Sequence, residues 1–419
     1  GSDADMRTFH TALYHSLIMP SRFSDVDGRY RGMDGEVHTT DFDYLTDLSL
    51  WDTFRTLHPL WILAYPEHQR STLHSLVRMQ ADGGSLPRWP LGHGYTGGMV
   101  GSPAQQLFAE SYLKGLDGWD PEAAYNAAIP ASFGTQPNVQ RAGIDAYLTE
   151  GYVTAEASGQ SASKTLEYAW SDHAMSLWAD AMGRTDDAAT LASASQAWRH
   201  LWSPEYGFFI SHYADGTPVW SDDRQFDWTE DFTEGNAWHY VWGVPYDVQG
   251  LIDVQHDGDR DAFMARLTEY WDEVADEEDD LLPDDYYWHG NEPVMHYAYL
   301  ASLAGERDLS AEAARWVMRN RYNDTPLGLD GNDDSGTLSA WFVLSAMGLF
   351  PVAGTADYAL GSPLFERVEI DREDGSQWVV RAPGVSDDAI YIDSATVGDT
   401  PIEGGVFTHD QWAAGDLVL

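Results

Sequence analysis

The 419 residues contain no cysteine, which excludes disulfides, thiolate zinc sites and cysteine nucleophiles. Lysine is almost missing as well. Lys114 and Lys164 are the only two, and arginine supplies the rest of 23 cations set against 68 carboxylates. The resulting formal charge of −45 repels phosphate backbones and anionic lipid, so neither nucleic acid nor a membrane is expected as a partner. No apolar run reaches the roughly eighteen residues that a membrane-spanning helix needs. No strand, glycine-rich turn and helix follow one another in the way a nucleotide fold requires. The opening residues, GSDADMRTFH, carry no charged region followed by an apolar stretch, so no signal peptide is expected in this chain. Abundant carboxylates without lysine suit a protein kept soluble in brine. An acidic enzyme placed outside the cytoplasm, secreted or periplasmic, fits the same composition.

Apolar material is plentiful. Hydrophobic residues make up 43 % and aromatics 13 %, with 18 Trp and 22 Tyr, enough for a packed core and for two domains. Up to about Pro351 apolar residues recur at three- and four-residue spacing. Helices are predicted over Leu48–Leu63, Gln69–Gln80, Ala104–Lys114, Ser163–Met182, Asp186–Leu201, Asp261–Val274 and Ala311–Arg321. Asp120 before Pro121, and Ser310 before Ala311, read as helix caps. After Ala353 short alternating runs take over, at Val368–Asp371, Trp378–Arg381, Ala389–Asp393 and Gly405–His409, and read as strands. Helices joined by rich loops, with no fixed-period repeat, point to a mainly α chain. The expected architecture is a helical toroid over residues 3–353 with a small C-terminal β domain over 354–419.

Four loop segments concentrate carboxylates, amides and aromatics. SLWDTFR carries Trp51 and Asp52. DFTEGNAWHY carries Glu234, Asn236 and Trp238. YYWHGNEPVMHY carries Trp288, His289, Asn291 and Glu292. DGNDDSG carries Asp330, Asn332, Asp333 and Asp334 ahead of a helix expected from about Thr337. Rings that stack on sugar C–H faces, beside acids that move protons, are what a carbohydrate site needs. Each segment also has a plain structural reading. Trp51 and Trp238 suit a core, His289 suits a buried or surface position, and Glu234, Glu292 and Asp334 suit first helical turns. DGNDDSG starts like a calcium loop, but its sixth residue is Ser335 and its twelfth Trp341, so an EF-hand is excluded.

FSDVDGRYRGMDG, SLWDTFRTLHPL, SKTLEYAW, TEGNAWHYVWGVPYDVQGL, HGNEP and GNDDSGTLSAWFVLSAMGLFPVAGTADYALGSPLF resemble, in order and spacing, the catalytic region of glycoside hydrolase family 92. The resemblance covers nearly the whole chain. It implies an (α/α)6 toroid, an inverting exo-α-mannosidase activity on mannose-containing glycans, and a Ca²⁺ that binds sugar O2 and O3. By the same resemblance Glu234 is the general acid, and the Asp333–Asp334 pair is the base region. Asn291 and Glu292 form the metal segment, Trp51 and Asp52 hold the mannose, and Trp238 and His289 complete the substrate site. Glu234 is expected to have a raised pKa through burial against Trp238. Spacing leaves the choice between Asp333 and Asp334 open, with a lean to Asp334. The family usually carries a β-sandwich domain ahead of this region, so a preceding domain or chain is an expected partner. Pro103 in Gly101-Ser102-Pro103, Val294-Met295 and Tyr246 depart from the family pattern and bear on linkage preference. Two other readings are a mannosyl-phosphate hydrolase of the same family and a mannose-binding module without catalysis.

The charge balance yields a first prediction. Raising monovalent salt from low to molar levels should screen self-repulsion and raise the melting temperature measured by calorimetry. A flat or falling melting temperature would overturn the brine-adapted reading.

Overall fold

The computed structural model describes residues 1–135, 141–220, 225–276 and 284–419. As expected, the chain is mainly helical, a toroid-like α/α arrangement with strands towards the C-terminus. No helix among the described residues is long and apolar enough to cross a membrane.

The longest helix, Ser161–Ala181, is buried along most of its length because small residues and aromatics alternate around all its faces. It packs against helices Ala104–Leu113 and Thr185–Ala194. Helix Pro121–Ser132 starts as the sequence suggests: Asp120 accepts from the Ala123 amide at 3.0 Å, and Pro121 fills the first turn, where its missing N–H costs nothing. Ser310 does something else. It lies inside helix Arg307–Asn320, fully buried, and its Oγ accepts from the Ser302 amide at 2.9 Å, joining two helices rather than capping one. The single helix expected over Leu48–Leu63 breaks into Leu50–Thr53 and Leu57–Ala64. That break turns Asp52 away from the helix stack and towards the site described below.

Two lobes of core meet at Tyr246, which packs on both. The earlier strands form only short two-stranded pairs, and the larger sheets begin at Leu349–Pro351, where Asp357–Leu360 pairs antiparallel with both Leu349–Pro351 and Val406–Thr408. A second sheet runs Arg367–Asp371, Gln377–Arg381, Leu417–Val418, Thr396–Val397 and Thr400–Pro401. Ala389–Asp393, expected as a strand, is irregular, and its Ile390 carbonyl accepts from Ser362 Oγ at 2.7 Å. Residues of these sheets, among them Tyr358, Ile370, Val380 and Leu417, belong to the same core as Leu57 and Trp341. The strands are therefore a layer built onto the helices.

A buried ion pair fastens that layer. Lys114 pairs with Glu110 one turn earlier, both side chains being shut away from solvent. The ammonium also sits 4.1 Å from the Tyr358 ring centre, and Glu110 Oε2 accepts from the Gly354 amide at 2.9 Å. One of two lysines in the chain is thus spent on joining helix to sheet. Lys114→Met leaves Glu110 buried without its counter-charge, to be carried as an unpaired charge or neutralised by a proton. It should destabilise the fold by about 3–5 kcal/mol in denaturant titrations, since unpaired buried charges cost that much. A loss under about 1 kcal/mol would show that the pair is not needed.

Candidate active site

The GNDDSG loop enters helix Thr337–Ala346 through three successive left-handed residues, Asp334 (φ 42°), Ser335 (φ 61°) and Gly336 (φ 95°). The helix is buried on every residue, so its position is set by the core and the loop must accommodate it. Gly336 is required twice over: its φ is positive, and a Cβ would meet Ser16 Cα at 3.0 Å. Asp333 is absorbed by the turn. Its carbonyl accepts from the Thr337 amide at 2.8 Å, and its carboxylate takes the Ser339 amide at 2.9 Å and Ser339 Oγ at 2.8 Å. His15 Nδ1 stands 3.6 Å from the same carboxylate. Asp334, by contrast, is held only through its backbone and turns its carboxylate inward, and that non-glycine left-handed conformation is strain kept at a site by its surroundings.

Glu234 shares this feature, with φ 49°. The residues around it pin the turn. Asn236 caps the short helix Ala237–Tyr240 by accepting from the His239 amide at 3.0 Å, and its Nδ2 donates to the Asp285 carbonyl at 2.8 Å. His239 Nε2 meets the Asp284 carbonyl at 3.0 Å. Asn291 Nδ2 donates to the Glu234 carbonyl at 2.6 Å, so the segment that carries Glu292 also fixes the backbone of Glu234.

His289 is the strut between the two halves. Its Nδ1 lies 2.7 Å from Tyr287 OH and its Nε2 2.5 Å from Tyr322 OH, and Tyr322 OH donates onward to the Leu338 carbonyl at 2.8 Å. The ring packs edge-on against Trp341 at 4.6 Å. Burial, with Arg321 nearby, pushes its pKa down to about 3, so it is neutral. The sequence reading made His289 a substrate-binding residue; here both its nitrogens are tied off and the ring is shut from solvent.

Asp52, Glu292 and Asp334 come together. One carboxylate oxygen from each lies within 4.8 Å of the others. Thr56 Oγ1 donates to the Thr337 carbonyl at 2.7 Å, which brings the Asp52 segment onto the turn that carries Asp334. Glu292 is fully buried, and neither of its carboxylate oxygens has a hydrogen-bond partner among the described residues. Ser49 Oγ donates to Asp52. Burial raises the pKa of all three, that of Asp334 to about 6; repulsion within the cluster adds to it for Asp52 and Glu292, Glu234 raises both Asp52 and Asp334, and Asp333 adds to the rise of Asp334. The nearest cation, Arg55, pulls Asp52 and Glu292 down, yet it is committed to Glu167 at 2.7 Å. A cluster of buried carboxylate oxygens without enough positive charge fits a hard divalent cation. Asp52, expected from the resemblance to hold the mannose, stands in this carboxylate cluster.

The two tryptophans also depart from expectation. Trp51 is wholly buried, with the Arg55 guanidinium 5.0 Å from its ring centre, and offers no open face to a sugar. Trp238 packs among Phe208, Tyr286, Tyr270 and Trp242, with Arg266 over its ring. Burial does raise the Glu234 pKa above its ordinary 4.5. The cleft wall beside Glu234, however, is formed by Phe232, Trp228, Lys164 and Gln160. Sequence reasoning passed over Arg55, Glu167, Lys164 and Trp228. The rarity of lysine was the available signal for Lys164; nothing in the spacing marks Trp228.

The description "Glycosyl hydrolase family 92 catalytic domain" matches residues 1–419. The chain is similar to an uncharacterized secreted glycosidase of Arthroderma benhamiae, 26% identical over an alignment of 405 residues that covers 88% of this chain and 46% of that protein. Its fold is similar to that of a family GH92 α-mannosidase of Bacteroides thetaiotaomicron, with a TM-score of 0.90 at 30% identity, covering 100% of this chain and 55% of that one. A family GH92 inverting mannosidase of the same bacterium gives a TM-score of 0.89 at 31% identity, covering 100% of this chain and 59% of that one. The chain thus spans about half the length of these relatives. With the family's catalytic-domain description matched over the whole sequence, and the acid-lined cleft in place, the chain belongs to glycosyl hydrolase family 92.

Proposed function

We propose that this chain is the catalytic part of an inverting, calcium-dependent exo-α-mannosidase that removes terminal non-reducing α-mannosyl residues from glycans. The observation that carries the reading is the convergence of Asp52, Glu292 and Asp334 beside Glu234. The α-mannosidase neighbours support it, one of them in complex with mannoimidazole.

The chemistry follows from two carboxyl groups, those of Glu234 and Asp334, that stand close enough to repel one another. Glu234, desolvated enough to keep its proton above the usual carboxylate range, protonates the glycosidic oxygen as the bond breaks. Asp334, whose carboxylate is not consumed by hydrogen bonds as that of Asp333 is, takes a proton from the water attacking the opposite face. Asp333 keeps the turn in place. Asp52, Glu292 and Asp334 would hold the calcium ion, and Asn291 would steady their segment against Glu234. Bound there, the ion would supply positive charge for these acids and a hard centre for the cis O2 and O3 hydroxyls of mannose.

Two predictions test this reading. Calcium should raise the melting temperature of chelator-treated protein. Glu292→Gln should shrink that shift while raising the melting temperature in chelator, because it removes a buried negative charge from a repelling cluster. An unchanged calcium shift in Glu292→Gln would place the ion elsewhere.

Glu234→Gln should lose about 10²–10⁴ in rate on α-mannobiose, the usual worth of a positioned acid. It should keep most of its rate on a dinitrophenyl mannoside, which leaves without a proton. On mannobiose the wild-type kcat/KM should fall as pH rises through the Glu234 pKa, above 4.5, since the acid must be protonated. That alkaline limb should be absent for Glu234→Gln on the activated substrate. Equal losses on both substrates would show that Glu234 is not the acid.

A further inference from the structure

Glu234 opens into a cleft of about 480 Å³ that the carboxylate cluster does not line. Gln160, Lys164, Trp228, Glu230 and Phe232 form its walls. Two features of that wall are out of keeping with the rest of the chain.

Trp228 is 47 % exposed, whereas the other tryptophans are buried or partly buried. One flank is braced by Trp288, 5.6 Å away and tilted by 49°, and an edge faces His239 at 6.3 Å. A ring held at its edges and left open on the cleft side can cover the C–H face of a pyranose, removing apolar surface from water on both partners.

Lys164 is the second of two lysines in a chain with 68 carboxylates, yet among the described residues it forms no ion pair. Its Nζ donates to Ser158 Oγ at 2.7 Å and to the Gly159 carbonyl at 2.6 Å. An ammonium has three protons, so one remains for a ligand oxygen, in a direction fixed by the two bonds already made.

The position of the cleft follows from the reaction. An acid must reach the oxygen that joins two sugars. If the cleaved mannose sits over Asp52, Glu292 and Asp334, the leaving sugar lies on the other side of Glu234, which is this cleft. We propose that the Trp228–Lys164 wall seats the leaving-group sugar, a neutral pyranose stacked on Trp228 with one hydroxyl accepting from Lys164. This inference rests on the mannosidase reading, and its test is arranged so that the two can fail separately.

Calorimetric titrations on the Glu234→Gln background keep the disaccharide intact. That protein should bind α-mannobiose at least about ten-fold more tightly than methyl α-mannoside. Adding Trp228→Ala should remove most of the difference while changing methyl mannoside affinity little, and Trp228→Phe should restore part of it. In otherwise wild-type enzyme, Trp228→Ala should lose about ten-fold more kcat/KM on mannobiose than on α-mannosyl fluoride, whose leaving group is a single atom. A mannobiose preference that survives in Trp228→Ala, or equal weakening of both ligands, would overturn the proposal. If the chain hydrolyses neither compound, the mannosidase reading falls while the titrations still decide the role of Trp228.

Discussion

Three carboxylates that cannot all be charged together govern this protein. Asp52, Glu292 and Asp334 meet where water is largely excluded, and Arg55, the cation among the described residues that acts on Asp52 and Glu292, already neutralises Glu167. Such a cluster is tolerable only if it keeps protons or gains a cation, because desolvated like charges repel strongly. Everything around it works to hold the three acids together in spite of that repulsion.

The holding is done by backbone and by neutral polar groups. Glu234 and Asp334 both sit on left-handed turns that their side chains disfavour. Buried helices and segments on either side over-determine those turns, through Asn236, His239, Asn291 and the Tyr287–His289–Tyr322 relay. Neutral groups suit this task. A charged His289 would add an unpaired cation to a closed core, and its lowered pKa prevents that. The strain costs of order 1–3 kcal/mol per residue, which the packed helix Thr337–Ala346 can sustain.

Charge is distributed in the same way. The surface carries most of the excess acid, where solvent and salt screen it. The two lysines are placed inside the fold's working parts. Lys114 is shut inside the joint between helices and sheet, and Lys164 lines the cleft beside Glu234. Arginines make most of the other ion pairs, including the buried Arg141–Asp172 and Arg321–Asp284 pairs. A planar guanidinium can meet several acceptors at once, which suits a chain with far more acids than bases.

Fold class was legible in the residues because helical periodicity, caps such as Asp120 and alternating strands are local properties. The segments bearing Asp52, Glu234, Glu292 and Asp334 were legible too, since carboxylates, amides and glycines cluster there in the pattern of family 92. The roles within those segments were not. Asp333 and Asp334 are neighbours in the chain, and only the three-residue left-handed turn separates one as a helix anchor from the other as a member of the carboxylate cluster. Trp51, Trp238 and His289 look like sugar-binding residues in sequence, yet Trp51 and His289 are buried and Trp238 packs half-buried against the core, because exposure depends on what other segments cover them. Trp228 is the converse, a loop tryptophan that lines the cleft and stays 47 % exposed. Sequence alone determined which residues could do chemistry, through residue type and local period. Tertiary structure decided which of them do, because repulsion, desolvation and access are set by groups far apart in the chain.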